Sequence, residues 1–237
     1  MRFVKAQVNG NDFVIIMRRE DTLIITNETA KTIADRHFGI GCDQVIELTK
    51  VTDLTYNINF FNADGGHAEM CGNGVCAASL YISRIILSSE SAELRFIISG
   101  REHRTIADKG EITLFVEKPI LLHRSSEYQI LSVGNKHAVC DIKMFDSVME
   151  VKDKFPDCNL HFTKFVDDFI RVKTYERGVG WTRACGSGAI AIAASQNISD
   201  SVRVVHDGGC SSVRNLGDTF SLTVHPKIVF SGNFYDD

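Results

Sequence analysis

The chain is short of most features that would place it quickly. It has three prolines and one tryptophan in 237 residues. No Pro-, Gly- or Ser-rich linker or low-complexity segment divides it. No apolar run approaches the roughly 20 residues of a membrane span. The opening MRFVKAQVNGNDF lacks the apolar core of a signal peptide. Charge of one sign is missing too: the net charge is −4 with both signs interspersed. There is no basic stripe with interleaved aromatics, which excludes nucleic acid as the expected partner. No C-x-x-C pair occurs, and seven irregularly spaced cysteines (42, 71, 76, 140, 158, 185, 210) do not make a disulfide framework. His206 and Cys210 lie close in sequence, but two residues do not make a metal site, and no metal ligand set is read here. The expectation is a soluble, cytoplasmic protein in a reducing compartment, with no membrane partner.

What is present is a 44% hydrophobic chain, ample for one large core or two modest ones. Short strand-like runs dominate, among them FVKAQV, DFVIIM, TYNINFF, EITLFVE, FIRVKTY and FSLTVH. Many alternate apolar with polar residues. Three helical patterns stand out. TNETAKTIADRHF opens on a cap candidate, Thr26 or Asn27. GNGVCAASLYISRII and GSGAIAIAASQNI each follow a cysteine and are apolar on nearly every side, as buried helices are. The predicted class is α/β (α+β): two pseudo-symmetric domains, each a mostly antiparallel or mixed sheet wrapped around a central helix. A faint repeat supports this. GNDFVI at Gly10 resembles GNKHAV at Gly134, and CGNG at Cys71 resembles CGSG at Cys185, in the same order. Pro119 suits a junction, so residues 1–116 form one half, joined by a C-terminal strand at 228–237. Residues 117–227 form the other.

The repeated Cys-Gly pair carries the chemistry. A helix N-terminus offers unpaired N–H groups and partial positive charge. A cysteine there has its thiolate stabilised. The glycines let a ligand approach the backbone, and the helix end accepts a carboxylate. Two such motifs from two half-domains would face each other across a cleft. Inverting a stereocentre beside a carboxylate wants this pair: one group removes the α-proton and another delivers a proton to the opposite face. The carbanion's charge moves into the carboxylate, where N–H donors stabilise it. No metal or pyridoxal cofactor is demanded.

These residues resemble the diaminopimelate epimerase family. The signatures are GNDFVII at Gly10, RHFGIGCDQ at Arg36, FNADGGHAEMCGNG at Phe61, GNKHAV at Gly134 and YERGVGWTRACGSGA at Tyr175. The resemblance implies a cofactor-independent epimerase that interconverts L,L- and meso-diaminopimelate on the route to lysine and cell wall, and a homodimer. It implies that Cys71 and Cys185 are the acid–base thiols, with Cys185 accepting the proton of the L,L substrate. The N–H groups of Gly72, Asn73, Gly186 and Ser187 would bind the reacting carboxylate. Asn11, Gln44, Asn62, Asn135, Asn159, Glu176 and Arg177 match substrate-binding positions. His137 and Glu176 match positions that tune the thiols, and a charged neighbour shifts a thiol's pKa. The chain departs from the pattern at Val75, Cys76 and Ala77, where the family has an arginine before a cysteine, and at Lys136, where it commonly has proline.

Two other readings stand beside this one. A two-cysteine racemase of the proline or histidine type would share the design, but proline racemases typically carry His where this chain has Asn73. A thiol sensor or binding module on the same fold would be non-catalytic. Cys42, Cys76, Cys140, Cys158 and Cys210 are read as small hydrophobes. His67, His103, His123 and His225 are read as structural, and Trp181 as packing near the cleft mouth.

Overall fold

A computed structural model describes residues 1–18, 24–198 and 200–235. Asp236 and Asp237, the end of the expected C-terminal strand, lie outside the described residues. The chain divides into two compact units, Met1–Leu114 with His225–Asp237, and Phe115–Val224.

In the first unit the order is β1 (Arg2–Val8), β2 (Asn11–Arg18), α1 (Asn27–Ala34), β3 (Gln44–Lys50), β4 (Thr55–Asn62), β5 (His67–Ala68), α2 (Gly72–Tyr81), β6 (Ser91–Ile98), β7 (Arg101–Asp108) and β8 (Glu111–Glu117), whose last residues enter the second unit. The second unit continues with β9 (Ile120–Arg124), β10 (Tyr128–Ser132), β11 (Lys136–Asp141), α3 (Val148–Lys154), β12 (Asn159–Val166), β13 (Phe169–Glu176), β14 (Gly180–Thr182), α4 (Gly186–Ser195), β15 (Ser201–His206), β16 (Gly209–Asn215) and β17 (Thr219–Val224). The last strand, β18 (Lys227–Asn233), returns to the first unit and pairs antiparallel with β1.

The sheets are mixed and follow one plan. β2 runs parallel to β3 and β3 antiparallel to β4; β11 runs parallel to β12 and β12 antiparallel to β13. Both sheet faces are covered, which is why the central strands read as near-continuous apolar runs. Alternate side chains point to opposite faces. In the first unit Val14, Ile16, Val45 and Phe61 pack on α1, while Phe13, Ile46 and Phe60 lie beneath the start of α2. In the second unit Ala138, Cys140, Leu160 and Phe162 pack with Val151 and Phe155 of the α3 region. Their neighbours of opposite parity, His137 and His161, lie under α4, whose Gly188 meets the His161 ring.

The two central helices are buried along their whole length: every residue of α2, and every residue of α4 except Ala194. Each fully buried Leu or Ile adds about 1.5–3 kcal/mol, so tertiary burial rather than an amphipathic pattern sustains them. α2 ends in a wider π-type turn over Ile82–Ile86. The first helix is shorter than its sequence pattern. Thr26 caps it by accepting from Thr29 N–H at 3.1 Å. Asp35 then takes the N–H groups of His37 and Phe38 at 2.7 and 2.8 Å and turns the chain away. The short α3 and the 3₁₀ turn before it (Ile142–Ser147) were not legible as a helical pattern.

Candidate functional site

Each central helix begins on a cysteine used as its cap. Cys71 is extended (φ −137°, ψ 105°), and its Sγ accepts the Gly74 N–H at 3.4 Å. Cys185 repeats this (φ −135°, ψ 114°), with Sγ accepting the Gly188 N–H at 3.4 Å. Caps are ordinarily Ser, Thr, Asp or Asn. A thiol there brings a polarizable sulfur to the positive end of a helix, where negative charge on it is stabilised. The carbonyls of Cys71 and Cys185 accept from Val75 and Ala189 N–H at 2.9 and 3.0 Å. The N–H groups of Gly72, Asn73, Gly186 and Ser187 precede these in the first turn, where a helix has no acceptors of its own. They are the donors expected for a carboxylate.

In the first unit Asn11, Asn73 and Cys71 come together. Asn11 Oδ1 lies 3.4 Å from Asn73 Nδ2 and 4.0 Å from Cys71 Sγ. Asn11 Nδ2 donates to Asp43 at 2.8 Å, which fixes the amide's orientation. Behind it, Arg36 bonds Asp12 through two nitrogens at 3.0 and 2.8 Å and Asp43 at 2.9 Å. Lys5 bonds Asp12 at 2.7 Å and the Gly41 carbonyl. Burial pushes the Asp12 carboxyl up, but the Arg36 and Lys5 hydrogen bonds and charges outweigh it and hold it at about 2. Asp12, Arg36 and Asp43 thus support the site. They stand inside the quoted GNDF and RHFGIGCDQ signatures, but no local spacing shows that they meet. Gln44 and Asn62 form a second pair, Nε2 to Oδ1 at 2.9 Å. Among the described residues, Gln44 Oε1 and Asn73 Oδ1 are buried polar atoms without a hydrogen-bond partner, as groups awaiting a ligand would be.

In the second unit Cys185 Sγ lies 3.6 Å from Ser187 Oγ. Asn159 Oδ1 accepts the Arg177 backbone N–H at 2.9 Å, and Glu176 accepts from Thr182 Oγ1 at 2.7 Å. Asn135 Oδ1 lies 2.7 Å from His137 Nε2, His137 Nδ1 2.9 Å from His161 Nε2, and His161 Nδ1 3.1 Å from Thr174 Oγ1. The carbonyl oxygen of Asn135 only accepts, so His137 carries its proton on Nε2, His161 donates from Nε2, and Thr174 donates to His161 Nδ1. Burial pulls His137 down to about 3 and His161 well below its usual value, the latter helped by His137 and His206. His137 is therefore uncharged at neutral pH. It acts as a hydrogen-bond partner, which corrects the charged neighbour expected from sequence.

Register shows how the two halves correspond. Phe13 pairs with Gln44, and Gln44 with Asn62; His137 pairs with Asn159. Ile46 faces Phe60 as His161 faces Thr174. Asn11 thus matches Asn135, Gln44 matches Asn159, and Asn62 matches Glu176. Beneath the helix start, the apolar Phe13, Ile46 and Phe60 match the polar His137, His161 and Thr174. The second glycine of each motif answers this layer. A Cβ on Gly74 would lie 2.6 Å from Phe60 Cε1, and one on Gly188 2.2 Å from His161 Cε1. These glycines serve packing below the helix, a different role from the ligand approach expected of them.

Among the remaining cysteines, Cys42, Cys76, Cys140 and Cys158 are buried, as expected of small hydrophobes, whereas Cys210 is exposed. Burial pushes Cys42 and Cys140 up to about 12 and Cys76 further still, so none is a ready nucleophile. Trp181 packs against Phe145, Phe162 and Tyr175. Among the described residues, no helix is long and apolar enough to cross a membrane.

Comparison with known proteins bears on this geometry. Residues 3–100 match the family model described as diaminopimelate epimerase. The diaminopimelate epimerase of Teredinibacter turnerae is 30% identical, with 98% of each chain covered, and that of Alkalilimnicola ehrlichii 32% identical, with 92% of each covered. Among solved structures, a predicted epimerase from Pseudomonas aeruginosa matches with a TM-score of 0.80 at 9% identity, covering 100% of this chain and 99% of that one. A hydroxyproline epimerase from Agrobacterium vitis, with trans-4-hydroxy-L-proline bound, matches with a TM-score of 0.73 at 11% identity, covering 98% and 91%. Likeness at such identities establishes the fold alone.

Proposed function

The chain belongs to the diaminopimelate epimerase family of isomerases, and we propose that it interconverts L,L- and meso-2,6-diaminopimelate by passing an α-proton between two thiols. The reading extends to the family's place in lysine and peptidoglycan precursor synthesis, to a cytoplasmic setting, and to a homodimer.

In the L,L direction the Cys185 sulfur takes the α-proton from one face, breaking the C–H bond. The electron pair left on carbon delocalises into the adjacent carboxylate. The Cys71 thiol then delivers its proton to the opposite face. In the reverse direction the roles exchange. The charge that builds on the carboxylate falls among the helix-start N–H groups of Gly72, Asn73, Gly186 and Ser187, donors already oriented before reaction. The reaction is net proton-neutral and redox-neutral, so this chemistry needs no cofactor. The second amino acid end of the substrate carries one ammonium and one carboxylate. Arg177 offers donors, Glu176 an acceptor, and Asn11, Gln44, Asn62, Asn135 and Asn159 offer both.

One observation carries the reading: the same constellation, a thiol cap on a buried helix with an amide or carboxylate nine residues before it, occurs once in each unit. A two-base inversion needs like groups in duplicate, and a binding module does not. The test is α-proton exchange in D₂O with reduced protein, followed by NMR. Deuterium should enter an α-position of diaminopimelate as the L,L and meso forms interconvert, with no exchange into L-proline or L-histidine. Exchange into proline alone would move the assignment to a proline-type racemase. No exchange with any of them would remove catalysis from the reading.

A further inference from the structure

The polar layer beneath α4 does more than the fold requires. The first unit fills the same three register positions with Phe13, Ile46 and Phe60 and closes the same helix start over them. The second unit instead buries two imidazoles and a hydroxyl there, and burying polar groups carries an energetic penalty that apolar ones avoid. The ring nitrogens of His137 and His161 point at one another at 2.9 Å. With Cys185 Sγ they form a group whose ligating atoms all lie within 4.8 Å of one another, and all three residues are buried. No sequence spacing signals this set, because its members come from β11, β12 and the cap of α4.

We propose that His137 Nδ1, His161 Nε2 and Cys185 Sγ form a site for a zinc-class divalent cation, and that its occupation silences the Cys185 thiol. Two imidazoles and a thiolate are the ligands such borderline-soft ions select, with water completing a tetrahedron. Zinc–nitrogen bonds of about 2.0–2.1 Å at tetrahedral angles set the two nitrogens about 3.3–3.4 Å apart. The rings therefore open by about 0.4–0.5 Å, and the sulfur closes on them. The outer bonds suit the role. His137 Nε2 already faces an acceptor, Asn135 Oδ1, and His161 Nδ1 faces Thr174 Oγ1. Metal-bound imidazoles are oriented by such partners.

The protons balance as follows. His161 shifts its proton from Nε2 to Nδ1, and the Thr174 hydroxyl turns from donor to acceptor. The Cys185 S–H bond breaks as the metal–sulfur bond forms, and that proton leaves to solvent. A sulfur so bound shares its charge with the cation, so it is a far weaker base toward a substrate proton. Binding goes beyond the proposed reaction and does not depend on it, since it is read without substrate.

The test is titration of the reduced, metal-free protein with Co²⁺. The expected result is one equivalent bound, a near-ultraviolet thiolate-to-cobalt charge-transfer band and visible bands of tetrahedral coordination, all displaced by Zn²⁺. One equivalent of Zn²⁺ should also suppress α-proton exchange, and EDTA should restore it. Cys185→Ser should remove the charge-transfer band. His161→Asn should weaken Co²⁺ binding at least about 100-fold. Thr174→Val, which keeps the side-chain volume and all three ligands, should weaken it about 10–100-fold. Absence of the charge-transfer band in the unmodified protein overturns the proposal. So does Co²⁺ affinity within twofold of the unmodified protein in His161→Asn of unchanged circular dichroism, or in Thr174→Val should the asparagine variant not fold.

Discussion

Acid should destabilise the second unit well above the range where carboxylates titrate. Three buried imidazoles all belong to that unit: burial holds His137 at about 3 and His206 at about 4, and His161 well below the ordinary value of 6.5. Well above pH 6.5 neither the folded nor the unfolded chain protonates these rings, and stability is at its full value. As pH falls, the unfolded chain binds three protons that the folded chain refuses. Stability is lost progressively until the folded values are reached. At pH 5.5, one unit below the ordinary value, the three rings together remove roughly a few kcal/mol. That is a large part of the 5–15 kcal/mol typical of a domain. Carboxylates do not confuse this window. Asp12, held at about 2 in the folded state against 3.8 unfolded, loses its contribution only between those values. Trp181, the only tryptophan, sits in the second unit against Phe145, Phe162 and Tyr175 and reports on it directly. Urea unfolding followed by Trp181 fluorescence should show the midpoint falling steeply from pH 7.5 to 5.5. A midpoint that stays level across that interval would refute the reasoning, because neutral burial of three imidazoles cannot be hidden from the linkage relation.

Cys71→Ala and Cys185→Ala should each lower epimerisation at least about 10³-fold, since the inversion needs an acid and a base together; full turnover in either variant defeats the two-thiol scheme. Cys76→Ala should keep full activity and lose about 1 kcal/mol in chemical denaturation, because Cys76 is buried in α2 as packing. Gly188→Ala should lower stability by about 1–3 kcal/mol, because its Cβ would lie 2.2 Å from a ring pinned by His137 and Thr174; a melting temperature equal to that of the unmodified protein would show that His161 can move aside. Arg177→Ala should raise KM for diaminopimelate about tenfold, about 1.4 kcal/mol, with kcat little changed; an unaltered KM would take Arg177 out of the binding set.

The sequence alone determined a good deal. The composition marks a mixed chain of many short strands, and the all-round apolar character of the two Cys-Gly helices marks them as buried. The repeated order of Gly-Asn strand and Cys-Gly helix marks the duplication and picks out Cys71 and Cys185. Such features are legible because strand alternation, helix burial and cap position are written into neighbouring residues. The tertiary structure decided what depends on register between distant strands. Only pairing β11 with β12 and β12 with β13 brings His137, His161 and Thr174 into one chain of hydrogen bonds under Cys185. Likewise, only the turn after α1 brings Arg36 and Asp43 to Asp12 and Asn11. His161 had no signal of its own, since a histidine in NLHF reads like any polar residue in an alternating strand. Its burial and tautomer follow from partners 24 and 13 residues away, and local sequence holds no information about a contact made across a sheet.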